Sequence, residues 1–491
     1  MTKSTKTILC AIFSSMFILS ISAVAEEQVQ TIDREDFDPL VDIEVTVEIK
    51  KIRCFDKLDK QLNILPYNLA PFPKREYIDE DSDPDFYLKI FINNEEFTSE
   101  TWGETKYIYS PDFSATLNVP DDQEFVDITI QLWDSNDDGD VLCDIGNEEE
   151  DVDVIYSIIT GHWTGEDQIN DPSGYGRLNG CDDGSIYIRD KDCELWFDIF
   201  QNDFDNDKIP YWTEVNVYGT DPEIDNTGED TDNDSIPIEW EWKWDYDPLV
   251  ADNHKNIDPE GDSINNYEEY LTSQWYSDPY RKDIFIELDQ MEESPQGEKS
   301  IFPEGAKELL YTAYDRQNIV YHLDDGKWED TGSEMLPFDD DTTWWDTNGI
   351  YQQYFLHGNP NNWRRGVFHY GILIYHFDGP PGITFRANSF MVASQGLEAK
   401  ADNRFFERDE VYASCYMHET GHTLDFWPIP GHSSFGSSPF RLGWWLNRPY
   451  KSCMNYGYMY YTVDYSDGSR PIRDYNDWTR MDLSYFEREW G

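Results

Sequence analysis

The chain has 491 residues, with 100 Asp and Glu against 37 Lys and Arg, for a formal net charge of −63. So negative a molecule excludes nucleic acid as a partner, and it excludes an anionic membrane unless cations intervene. A hydrophobic share of 39%, with 16% aromatic residues, is enough for two or three domains with real cores.

Residues 1–25 carry Lys3 and Lys6, then an apolar stretch from Ile8 to Ala25 broken by Ser, ending in Ala23-Val24-Ala25 before Glu26. This is the pattern of a cleaved secretory signal, so a secreted protein, extracellular or of the cell envelope, is expected. No later segment approaches ~20 uninterrupted apolar residues. Beyond Cys10 the cysteines are Cys54, Cys143, Cys181, Cys193, Cys415 and Cys453. An even number in an exported chain suggests disulfides, and pairing within each domain is expected: Cys54 with Cys143, Cys181 with Cys193, Cys415 with Cys453.

Residues 34–200 show short alternating runs, Ile43 to Ile49, Phe86 to Ile92, Ala115 to Val119 and Val126 to Trp133, separated by acidic or Pro-containing turns. That texture predicts a β-sandwich. The segments Ser82 to Lys89 and Leu132 to Asp140 resemble the two acidic edges of a C2 domain. The resemblance implies calcium shared between loops at one end of the sandwich, with Asp56, Asp85, Asp134 and Asp140 as candidate ligands, and calcium-dependent docking to a membrane or protein surface. An ordinary sandwich with acidic turns is the alternative.

Residues 201–280 repeat one pattern three times. The copies are Asp203, Asp205, Asp207 with Glu214; Asp230, Asp232, Asp234 with Glu241; and Asp258, Glu260, Asp262 with Glu269. Oxygen donors at loop positions 1, 3 and 5 and a later Glu suit a hard cation such as calcium. The segments resemble thrombospondin type 3 repeats, which implies a calcium-stiffened connector. Lys208, Ser235 and Ser263 stand where that family has Gly, so the sharp turn is expected to be made less easily.

Residues 281–491 open with a predicted strand, Asp283 to Leu288, a helix from about Pro303 to Arg316 and a strand, Ile319 to Leu323, giving a β-α-β start. A further strand, Gly366 to Phe377, carries His369 and His376 on opposite sides, which predicts packed or hydrogen-bonded imidazoles. Glu407 to Phe426 is helix-compatible and contains His418-Glu419-Thr420-Gly421-His422. On a helix this spacing puts two imidazoles one turn apart with a carboxylate beside them, as a zinc site with its own base requires.

Downstream stands Ser452-Cys453-Met454-Asn455-Tyr456. The two motifs together resemble the metzincin clan of zinc endopeptidases, in which a Met-containing turn lies under the metal. The resemblance implies an α+β catalytic domain, zinc as cofactor, Met454 as the apolar floor and Tyr456 as a hydrogen-bond donor to the oxyanion. Where the clan continues with Gly and a third His, this chain has Asp425 and Pro428, so the third ligand is His432 or Asp425. The expected function is hydrolysis of peptide bonds in a protein or peptide substrate, with Glu419 as general base and calcium as stabiliser. The other expectation is a non-catalytic, calcium-dependent surface or matrix binder with a degenerate metal site.

Overall fold

The computed structural model describes residues 43–55, 83–120, 122–136, 139–146, 149–167, 176–180, 191–326, 333–402, 407–435, 440–470 and 472–487. The expected signal segment, Asp56 and Cys181 lie outside these residues. Among the described residues, no helix is long and apolar enough to cross a membrane.

Two antiparallel sheets form the N-terminal unit. One has the order β4-β1-β10-β9, from Tyr107–Val119, Ile43–Cys54, Cys193–Gln201 and Gly176–Asn179. The other has the order β3-β2-β5-β7-β8, from Glu95–Thr98, Phe86–Ile92, Phe125–Asp134, Val152–Ser157 and Trp163–Gly165, with β6 (Val141–Leu142) paired to β5. Alternation along β1 and β5 sends Val45, Val47 and Ile49 from one sheet, and Val126, Ile128 and Ile130 from the other, into a single core. The strands expected from the sequence all form, and β1 and β4 run on beyond their apolar runs.

The cysteines correct the expected disulfides: none of the five described cysteines is bridged. The β1–β10 register sets Cys54 opposite Cys193, not Cys143, and Cys193 is in hydrogen-bonding contact with both. Cys415 points at the strand containing Gly382, where an added Cβ would lie 2.9 Å from its Sγ, so its thiol is turned to that strand.

The C-terminal unit is built on a mixed sheet of order β12-β11-β14-β16-β15, with β13 (Met335–Leu336) also paired to β11. Here β11 is Asp283–Met291, β12 Val320–Asp324, β14 Phe368–Ile374, β15 Gly382–Arg386 and β16 Ser389–Ala393. All pairs are parallel except β15 with β16. The parallel strands are buried on both faces: Ile284, Ile286 and Leu288 enter one core and Phe285 the other. His369 is buried on β14 and bonds the Thr423 hydroxyl at 2.8 Å, while His376, beyond the strand's end, pairs with Asp341 at 3.0 Å.

Between the units lie the acidic repeats, with helices α1 (Ile238–Lys243) and α2 (Asn266–Thr272). This segment is no free spacer. The Trp242 indole donates to the Thr160 carbonyl at 3.0 Å, and the backbone N–H of Asp283 on β11 donates to Asp262 at 2.7 Å. The sandwich also meets α3 (Glu304–Asp315) directly. Arg53 of β1, fully buried, donates to the Thr312 hydroxyl at 2.9 Å and lies 3.3 Å from Asp315 and 3.7 Å from Glu194; Glu194 in turn lies 3.1 Å from Arg281.

Candidate metal centre

Four further α-helices complete the C-terminal unit among the described residues: α4 (Trp344–Ile350), α5 (Ser394–Ala401), α6 (Arg408–His422) and α7 (Leu442–Asn447). In α6 the motif is buried throughout: His418 is 1%, Glu419 3% and His422 6% exposed. The helix ends at His422, four residues short of the helix-compatible run, because Asp425 takes a left-handed conformation (φ 60°) that turns the chain away. The chain then passes Trp427 and returns, so that His432 comes back over the helix. One ligand atom each from His418, His422 and His432 lies within 4.8 Å of the others. His418 Nε2 and His432 Nε2 are 3.1 Å apart, and the two rings are nearly parallel. His432 thus supplies the third imidazole; Asp425, the alternative third ligand, sits at the turn before it.

The protonation states suit ligation. Burial pushes His418 down to about 3 and His432 to about 4, and it holds His422 well below the usual imidazole range, so all three are neutral at pH 7. The Cys453 carbonyl, 2.8 Å from His418 Nδ1, can only accept, so Nδ1 carries the proton and Nε2 keeps its lone pair. Burial raises the Glu419 carboxyl to about 8, against hydrogen bonding from Thr384, whose hydroxyl donates to Oε2 at 3.0 Å. Thr384 lies on β15, and among the described strands β15 pairs only with β16, leaving an edge along the site.

Met454 is buried beneath α6, in the same core as Met417 and Cys453. Tyr456 is half-buried with its ring 4.2 Å from that of His432 and 5.6 Å from that of His418. Trp427, 48% exposed, stacks on His422 at 4.8 Å. Thr384 and Trp427 were not singled out in the sequence: neither belongs to a motif, and only the fold brings them to the site.

The acidic repeats superimpose in their hydrogen bonding. In each, the first Asp accepts from the backbone N–H groups three and five residues on: Asp203 from Asn206 and Lys208, Asp230 from Asn233 and Ser235, Asp258 from Gly261 and Ser263; Asp230 and Asp258 also accept from Asp234 and Asp262. Lys208, Ser235 and Ser263 sit at φ 74°, 91° and 78°, so the turn glycine would have made is made by L side chains, at a steric cost. The fifth residue of each loop accepts from its following isoleucine and from a distant backbone N–H: Asp207 from Asn226, Asp234 from Asp252, Asp262 from Asp283.

Three sets of carboxylate oxygens come within 4.8 Å: Asp205, Asp207 and Glu214; Asp230, Asp232 and Asp234; Asp258, Glu260 and Asp262. Both carboxylate oxygens of the buried Glu241 and Glu269, and of the half-buried Glu260, lack a hydrogen-bond partner. Burial, reinforced by neighbouring carboxylates, raises Glu214 and Asp262 to about 8 and Glu260 to about 11. A cation is what such oxygens lack.

The sandwich candidates behave differently. Asp134 accepts from the Asp85 backbone at 2.7 Å and from Asn136, Asp85 accepts from the Glu104 backbone at 2.6 Å, and Asp140 accepts from the Tyr87 hydroxyl at 2.8 Å. These three carboxylates are engaged by the protein's own donors. After the Met-containing turn, Asp467 and Asp474 pair with Arg470.

No protein-family model and no curated protein matches the chain. Solved structures similar to part of it include human GIVD cytosolic phospholipase A2, at 13% identity over 33% of this chain and 16% of that one, with a TM-score of 0.19. A C2 domain matches at 10% identity over 33% of this chain and 98% of its own, with a TM-score of 0.19. A C2 domain protein from Ramazzottius varieornatus matches at 12% over 32% and 88%, again at 0.19. The chain thus spans 16% of the length of that phospholipase, and likenesses at these TM-scores carry no argument about what the chain does. The β-sandwich stands on its own strand pairing.

Proposed function

We propose that the chain is a secreted zinc-dependent endopeptidase whose metal is held by His418, His422 and His432. The observation that carries this reading is the convergence of three neutral imidazoles, His418 and His422 buried and His432 half-buried, beside the buried carboxylate of Glu419. A nitrogen-only donor set on a closed apolar floor fits zinc, which takes three protein ligands in hydrolytic sites and keeps one position open. When bound, the ion supplies Lewis acidity and lowers the pKa of water.

The chain's own residues do the rest. Glu419, oriented by Thr384, takes a proton from water and passes it to the leaving amine. The Cys453 carbonyl fixes the His418 tautomer. Tyr456, its ring 4.2 Å from that of His432, would donate to the carbonyl oxygen as it gains charge. The outer edge of β15 offers an extended peptide a row of backbone partners next to Glu419.

The first and third acidic loops belong to the same reading as structural calcium sites. In the third, Asp262 accepts from the backbone N–H of Asp283, the first residue of β11, so calcium there would tie the repeats to the catalytic sheet.

Glu419→Gln in zinc-loaded protein tests the reading. Proteolysis by the wild type and its loss in the variant, with zinc retained, are expected. No proteolysis in either form would favour the non-catalytic surface-binding alternative, and full activity in the variant would remove Glu419 from its role as base.

A further inference from the structure

We infer that the second acidic loop holds a zinc-like transition ion through His254, Asp234 and Glu241, whereas its two neighbours are oxygen-only sites. His254 Nε2 lies 3.1 Å from Asp234 Oδ2 and 3.5 Å from Glu241 Oε1. Donor atoms bonded to one zinc at ~2.0–2.2 Å sit about 3.0–3.5 Å apart, which is this spacing.

The side chains are sealed from water: Glu241 is 0% and His254 2% exposed. Yet neither Glu241 oxygen, nor Nε2 of His254, has a hydrogen-bond partner. With an acceptor 3.1 Å away, this means that the ring nitrogen does not aim at that oxygen. It lies within 3.5 Å of both carboxylates and is well aligned with neither, as around a shared cation.

The opposite side of the ring is built for ligation. Nδ1 is 3.1 Å from the side-chain amide of Asn266, itself fully buried, whose oxygen has no other partner. Turning that amide by half a revolution satisfies its oxygen with Nδ1–H and leaves the Nε2 lone pair for the ion. The edges of Trp240 and Tyr246 hold the ring in place at 5.9 Å and 5.1 Å.

The repeats supply their own control. Two residues after the backbone N–H that caps the fifth loop Asp, the middle repeat has His254; the first has Gly228 and the third Phe285. Only the middle repeat can offer nitrogen there. Calcium prefers oxygen donors, while imidazole with carboxylates suits zinc and its neighbours in the first transition row. Such an ion would clamp α1, which carries Glu241, to the segment around His254 and to α2 behind it.

The test is a zinc count per chain on the full protein, stripped, reloaded with zinc chloride in excess calcium and dialysed. Two zinc ions are expected in the wild type, one in His254→Gln and one in His432→Gln. An unchanged count in a folded His254→Gln would overturn the inference. So would a single zinc in the wild type that disappears with His432→Gln, a result that requires no folded loop variant and leaves an imidazolium as the loop's own cation. A loss with His254→Gln but not with His432→Gln would retain this site and remove the proposed catalytic one.

Discussion

The α-carbon of Gly421 faces the sulfur of Met454 so closely that an added methyl group would lie 2.6 Å from Sδ. The middle of the His418–His422 motif and the Met-containing turn are therefore fitted to each other, and the glycine is what lets α6 settle onto its floor. Gly421→Ala should destabilise the protein by about 1–3 kcal/mol and weaken zinc retention. In a Met454→Ala background the same change should cost much less. Equal costs in both backgrounds, measured by urea denaturation, would show that the contact does not matter.

Arg53 joins the sandwich to the C-terminal unit. Removing it leaves Asp315 and Glu194 buried without their shared cation. Arg53→Met should cost about 3–5 kcal/mol and split one unfolding transition into two. A single transition with unchanged midpoint would mean that the units are held by other contacts.

In the first and third loops, Lys208 and Ser263 occupy left-handed conformations. Lys208→Gly and Ser263→Gly should each relieve about 1 kcal/mol of strain in the bound state and tighten calcium several-fold. Calorimetric titration checks this; unchanged or weaker binding would contradict it.

His369, buried against Phe486 and bonded to Thr423, has its pKa pushed down to about 3 by burial. Because the folded value lies below the unfolded value of ~6.5, its contribution is fully present above that pH and is lost as pH falls towards 3. Between pH 7 and pH 4 the wild type should lose about 3 kcal/mol more stability than His369→Gln. Parallel pH profiles would rule this out.

Much of this architecture is written in local patterns. Alternation along β1, β2, β5 and β11 and the spacing of His418 and His422 on α6 are short-range signals, and they place strands and converging imidazoles directly. Thr384, His254, Asp283 and Arg53 carry no such signal, because each acts through contacts made by distant segments. The cysteine pairing failed for the same reason: strand register, not sequence proximity, decides which thiols meet. The turns made without glycine at Lys208, Ser235 and Ser263 show the reverse, since hydrogen bonds accepted by Asp203, Asp230 and Asp258 hold a conformation that side-chain preference alone disfavours.

The most direct measurement is anomalous diffraction at the zinc edge on crystals of the zinc-loaded protein. A peak about 2.0–2.1 Å from one nitrogen each of His418, His422 and His432 is expected. No peak among those three rings, or rings turned apart around ordered water, would contradict the zinc hydrolase.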